Sequence, residues 1–440
     1  MQDTTIERAV RLKQALVDFV YDAEGELASA LEAYAAEKGK RNSYGIKQQS
    51  LSIDLFTTEG KVGEQSPLDI FIEQKDLKDR DLETIELWRN NFIGLFEIKQ
   101  IKANCYQLMN WLTAKTYQVY AHQGMSDKET KRWQPGEIIL AIIAPIDHHD
   151  WFFYSDRIVK GRLSQPKLAV AIGEFRDNYP NFLYADAPEL LEQAWESVAV
   201  YHQEFVDYMG ADCVTLPGYK LNQKIGELQQ RMSQKMLADA GINGDKSLAE
   251  VLSESGADQA ELTETAADLG ADAKAISKVL ENKEKLSMAT PKVELPPEIK
   301  QAESVTVFSE PQWGQMFLPN FQKFTDLLAS ENLENEAKNN LLLEKYLRKP
   351  EANYYIWQQL KQKYPENLSK LLQNYTDRSN FDLDTGLDKL LLEYDKTAIP
   401  ELPAIASVPI HLNNLFEAAV AQVQKTKSKS KKKQKKKGFK

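Results

Sequence analysis

The chain has 440 residues, 55 Lys and Arg against 65 Asp and Glu, and 42% apolar residues, which excludes a single compact core and predicts two or three domains. The net charge of −10 is the sum of opposed parts, because Lys425 to Lys440 hold ten lysines and no acid and leave −20 on the rest. A body this acidic repels phosphate backbones, which excludes a DNA-coating surface unless the lysines supply the contact.

From Ile6 to Ala36 apolar residues recur at three- and four-residue steps, broken only by Gly25, so one amphipathic helix or two short ones are expected. Ser50 to Phe56 alternates, with Leu51, Ile53 and Leu55 on one face, and Leu68 to Glu73 is a short apolar run after Ser66-Pro67. Both read as strands. Lys75 to Arg89, with Leu77, Leu82, Ile85 and Trp88, reads as a surface helix. Asn91 to Tyr154 is richest in β-branched and aromatic residues and is punctuated by turn signals. Strands are expected at Phe92 to Ile101, Gln107 to Trp111, Thr116 to Ala121, Glu137 to Ala144 and Trp151 to Ser155, which predicts a small antiparallel barrel or strongly bent sheet. Leu112-Thr-Ala-Lys-Thr-Tyr-Gln-Val-Tyr and Pro135-Gly with Ile142-Ile-Ala-Pro and Trp151-Phe-Phe make this stretch similar to uncharacterised cyanobacterial proteins, and that resemblance carries no activity.

Helical spacing resumes after Ser164-Gln-Pro and continues through Leu190, Trp195, Tyr201 and Phe205 to Met232. Between Ala240 and Ala302 the composition shifts to Ala, Asp, Glu, Ser and Lys with no aromatic residue and ends in Pro296-Pro297, as a solvated helical linker would. Aromatic and leucine-rich runs return from Val305, and Pro350 and Pro365 fall between them as helix boundaries. The fold class expected is therefore α+β: an α+β domain over 1–239 with its β-rich core at about 50–158, an acidic helical linker over 240–302, an all-α helical bundle over 303–424, and a disordered tail over 425–440.

Several constellations bear on chemistry. Pro67-Leu68-Asp69 at the start of one expected strand and Glu97-Ile98-Lys99 on another resemble the PD-(D/E)xK nuclease core, with Leu68 as a departure from the pattern. The resemblance implies two carboxylates holding a divalent metal that activates water, Lys99 steadying the developing charge, and Glu24 or Glu26 adding a third carboxylate. That reading would also need Cys105 to Ala121 as a helix, which Thr113, Thr116, Tyr117, Val119 and Tyr120 oppose. An exposed strand edge explains Glu-x-Lys equally well, because alternation puts both charges on the solvated face.

His148-His149-Asp150 reads as a polar hairpin tip, since adjacent side chains on an extended chain point apart. His122, His202 and His411 are isolated and read as packing or surface residues. Leu248 to Lys285 faintly resembles a repressor-type helix-turn-helix, yet Asp245 to Lys285 has ten acids against five lysines, the balance of a spacer. Phe381 to Asp388 spaces acids like a calcium loop but reads as helix capping. No phosphate-cradling Gly-rich loop and no Gly-x-Ser-x-Gly elbow occurs, so no nucleotide or serine chemistry is expected and no cofactor is called for. Cys105 and Cys213 sit among apolar neighbours and read as buried thiols in a reducing compartment. No signal segment and no charge-free window of roughly 20 residues is seen, so a cytoplasmic chain without a membrane span is expected.

The tail is the strongest signal. Lys425, Lys427, Lys429, Lys431, Lys432, Lys433, Lys435, Lys436, Lys437 and Lys440 form a flexible polycation whose all-lysine content suits point-charge phosphate contact rather than base reading. The expectation is a non-enzymatic adaptor: the aromatic surface of the helical domain holds a protein partner, and the tail associates with RNA or a ribosome. The alternatives are the metal-dependent nuclease and a regulator whose tail folds back on its own acidic body.

Overall fold

The computed structural model describes residues 2–41, 47–122, 132–147, 149–239, 288–289, 293–330, 336–376, 381–420 and 422–423. The helix-turn-helix-like segment, His148, all ten tail lysines and most of the expected linker lie outside the described residues. The architecture is α+β, as expected, and it divides into two units. One comprises residues 1–191 and the chain from Pro409 onward, and the other is Glu192–Val408. The composition break near residue 240 is therefore not the place where contacts divide.

The first unit is built on a closed barrel. β1 (Phe92–Lys102), β2 (Cys105–Asn110) and β3 (Thr116–Tyr120) form an antiparallel meander. β4 (Ile138–Pro145) pairs antiparallel with β1, and β5 (Asp150–Phe153) pairs antiparallel with β4 and parallel with β3. The strand order is thus 1-2-3-5-4-1, with β6 (Ile158–Gly161) added beside β4. A register shift between Ile98 and Gln100 makes Lys99 an extra residue in β1, the bulge that bends a long strand around a small barrel.

Burial follows pattern. β4, Ile-Ile-Leu-Ala-Ile-Ile-Ala-Pro, is buried along its whole length: Ile139, Ala141 and Ile143 fill the barrel with Phe92, Phe96, Tyr117 and Phe153, while its alternate residues face a helical layer. That layer comprises α1 (Gln2–Tyr21), α2 (Glu26–Arg41), α3 (Lys47–Glu59), α4 (Pro67–Gln74), α5 (Asp79–Leu87) and α6 (Gln165–Asn178). Leu16, Leu55, Phe71, Ile85 and Ile172 pack with Ile93, Leu95, Leu140 and Ile142 in one core. Residues 410–420 form a last helix whose Leu412 and Leu415 enter this same core, and His411 Nε2 donates to the Trp111 carbonyl at 2.8 Å.

The two strands expected at Ser50 to Phe56 and Leu68 to Glu73 are the helices α3 and α4. Leu51, Leu55 and Phe56 are buried at helical spacing, and at α4 Ser66 caps a turn that Pro67 opens.

In the second unit, α7 (Pro188–Met209) and α8 (Gly218–Asp239) accompany a three-stranded antiparallel sheet of β7 (Cys213–Leu216), β8 (Val305–Glu310) and β9 (Gly314–Pro319), ordered 9-8-7. The hairpin lies where only helix was expected; Val305, Val307 and Ser309 are buried on one side of the strand, and Thr306 between them is buried as well. The helices that follow are α9 (Gln322–Ala329), α10 (Glu336–Arg348), α11 (Tyr354–Lys363), α12 (Pro365–Thr376) and α13 (Leu383–Glu393). Phe321, Phe324, Tyr346 and Trp357 are core, Tyr354, Tyr355, Tyr364, Tyr375 and Tyr394 are half-buried, and exposed large apolar side chains among the described residues of this stretch include Leu341, Leu392 and Ile399. No helix among the described residues is long and apolar enough to cross a membrane.

Candidate functional site

Among the described residues the helices cover β4 and the first half of β1, while the outer face of β2 and β3 is half-buried or exposed, with Tyr120 packed against the helical core. Both strands alternate: Tyr106, Leu108, Tyr117 and Val119 point into the barrel and are buried, while Gln107, Met109, Thr116, Gln118 and Tyr120 are half-buried or exposed. Cross-strand register aligns these outer residues in rows. Gln100 pairs with Gln107, Gln107 with Gln118, and Gln118 with Asp150, so three amides and a carboxylate cross four adjacent strands. A flanking row runs Lys102, Cys105, Tyr120, and the other runs Glu97, Met109, Thr116. Cys105 Sγ donates to Gln118 Oε1 at 3.1 Å, whereas the side chains of Gln100 and Gln107 make no hydrogen bond among the described residues. The face thus offers the amide donors and acceptors of Gln100 and Gln107 beside the exposed Lys102. Burial pushes the Cys105 thiol up, so it is a poor nucleophile. Neither cysteine is buried as expected: Cys105 is half-buried at this face and Cys213 is exposed on β7.

The nuclease-like residues are placed apart in role. Asp69 is the third residue of α4, where its Oδ2 accepts from the Ser66 amide at 2.9 Å while Ser66 Oγ accepts from the Asp69 amide at 3.1 Å, a reciprocal capping box. Arg89 Nη1 donates to its other oxygen at 2.6 Å. Those Ser66 hydrogen bonds, then Arg89, hold the carboxyl down at about 2. Glu97 lies on β1 and accepts from Lys99 Nζ at 2.8 Å, and that ammonium lies 6.0 Å from the Trp111 ring centre. Each carboxylate is engaged by a different cation. Among the described residues no group of three or more His, Cys, Asp or Glu side chains could hold a metal. Ser66→Ala is expected to lower stability by about 1 kcal/mol, read as a shift in the urea midpoint with unchanged slope.

Asp147 Oδ1 accepts from the His149 and Asp150 amides at 2.8 Å each, the polar hairpin tip expected there. Asp382 caps α13 by accepting from the Asp384 amide at 3.0 Å, and His202 Nδ1 lies 3.2 Å from Ser309 Oγ.

A buried polar pair went unread in the sequence. Asp54 of α3 is 3% exposed and accepts from Lys13 Nζ of α1 at 2.7 Å. Next to it, Thr57 Oγ1 lies 3.0 Å from Tyr154 Oη. Burial outweighs the lysine and raises the Asp54 carboxyl to about 6. No sequence signal marks Asp54, because its partner lies 41 residues away on another helix.

Compared with protein-family models, with curated proteins and with solved structures, the chain gives no match.

Proposed function

We propose that the chain is a non-enzymatic adaptor that holds single-stranded RNA on the outer β2–β3 face of its barrel, with the lysines of residues 425–440 adding sequence-independent attraction and the helical unit engaging a protein partner. The observation that carries this reading is the outward row of Gln100, Gln107 and Gln118, exposed or half-exposed among the described residues, on a closed barrel of order 1-2-3-5-4-1. That connectivity is shared with oligonucleotide- and oligosaccharide-binding barrels, whose ligands lie on the face of strands 2 and 3, and it is an analogy of fold. The chemistry fits unstacked bases: amides pair with base edges, and Lys99 and Lys102 meet phosphates. Glu97 and Asp150 offset those two lysines, so the face alone attracts RNA weakly. The final helix anchors on the first unit through His411, Leu412 and Leu415, which tethers the tail to the same unit as the barrel and raises its local concentration there.

Filter binding of a single-stranded RNA oligomer over a salt series tests this. Gln107→Glu with Gln118→Glu is expected to weaken binding about tenfold through lost base contacts and added repulsion. Removing residues 425–440 is expected to flatten the dependence of log K on log salt. Wild-type affinity in the glutamate variant, or a salt slope untouched by the deletion, would sink the proposal.

A further inference from the structure

Away from the barrel face, α1 and the start of α5 wall an open cleft of about 510 Å3. Arg8, Arg11 and Leu12 line it from α1, where their spacing puts them on one helix face, and Lys78, Arg80 and Asp81 line it from α5 together with Asp79. Four cations therefore face two carboxylates on a chain that is acidic overall.

The cations are poorly satisfied by the protein itself. Arg8 Nε stands 3.9 Å from Asp81 and, though buried, makes no hydrogen bond, while its Nη2 reaches Thr84 Oγ1 only at 3.4 Å. Arg11, Lys78 and Arg80 are exposed and their side chains enter no ion pair among the described residues. Position sharpens the point. Lys78 is the N-cap of α5, gives it no side-chain cap, and stands with Arg80 at the positive end of that helix, where a cation is disfavoured and an anion is stabilised. Asp79 and Asp81 in the first turn of α5 answer part of this charge, and the four cations exceed those two carboxylates, which leaves a cationic excess for an anion to neutralise.

We infer that this cleft binds a compact di- or triphosphate anion, held through its phosphate oxygens. Two or three guanidinium groups offer forked donors to successive phosphates, and Lys78 and the first turn of α5 add point charge and backbone N–H groups. The cleft is larger than one phosphate needs, and it has one apolar side chain, Leu12, and no ring among its lining residues. It therefore reads phosphate charge and not a base. This goes beyond RNA binding at the barrel, which rests on different strands and different chemistry.

Calorimetric titration of the full chain with sodium pyrophosphate, at ionic strength fixed by chloride, tests it. Saturable one-site binding is expected in the wild type. The Arg11→Ala, Arg80→Ala double variant is expected to bind about tenfold or more weakly. Both side chains are exposed and unpaired, so the variant should keep the wild-type circular dichroism spectrum and melting temperature. Absence of saturable heat in the wild type overturns the inference. So does unchanged affinity in the double variant, which would place the anion on the tail lysines that both proteins carry.

Discussion

Trp357→Ala is expected to destabilise the helical unit by about 3–5 kcal/mol, a large part of the stability of any domain. Trp357 is fully buried, and its ring meets Phe324 edge-on at 6.0 Å. Phe324 stacks on Tyr346 at 5.0 Å, and Tyr346 meets Phe321 at 5.2 Å, so removing the indole opens a void beneath a chain of rings that holds α9, α10 and α11 together. The indole Nε1 also donates to the Ala352 carbonyl at 3.0 Å and fixes the turn that leads into α11. Trp357→Phe keeps most of the ring and loses that hydrogen bond, for an expected loss of about 1–3 kcal/mol. Equilibrium urea unfolding of both variants checks the order. A Trp357→Ala protein within about 1 kcal/mol of wild type would mean that the rings repack freely around the gap.

The Asp54 pocket is expected to make stability fall as pH rises from about 4 to about 6. The ordinary value of the carboxyl is 3.8, and burial raises it to about 6 in the folded chain, so across this interval the folded chain holds a proton that the unfolded chain has released. Stability is then highest below the lower value and declines until the folded carboxyl has ionised. At 1.36 kcal/mol per unit, the full change is roughly 3 kcal/mol. Asp54→Asn cannot titrate, so the difference in unfolding free energy between wild type and variant, measured at half-unit steps from pH 4 to 7, isolates this group from every other carboxylate. A difference that stays flat through the interval would show that Lys13, 2.7 Å away, fully offsets burial.

The barrel was legible because its strands are rich in β-branched and aromatic residues and are set off by turn residues, and each of the five expected strands lies within two residues of an observed boundary at one end or both. The parallel pairing within it was not, because Gln118, Val119 and Tyr120 join Asp150, Trp151 and Phe152 about thirty positions away and leave no local trace. The glutamine row depends on the β1–β2 and β2–β3 registers and on the Lys99 bulge, so register rather than composition creates it. The missed helices had readable signs. Ser66-Pro67-Leu68-Asp69 is an N-terminal capping pattern, but the apolar run after it also suits a strand. At α3 the alternation of Leu51, Ile53 and Leu55 matches a strand, while the burial of Leu51, Leu55 and Phe56 matches a helix, and seven residues are too few to separate the two periods. The β8–β9 hairpin was hidden by an aromatic run that fits either structure.

The return of the chain at Pro409 sets an order of events during synthesis. The first unit is begun by residues 1–191, yet Leu412 and Leu415 belong to its core, and the ribosome delivers them only after residues 192–408 have been made. Until then the site beneath the last helix stays uncovered. The earliest part of the protein to emerge is accordingly the last to be finished, and a chain halted anywhere before Pro409 leaves that apolar site open to wrong partners.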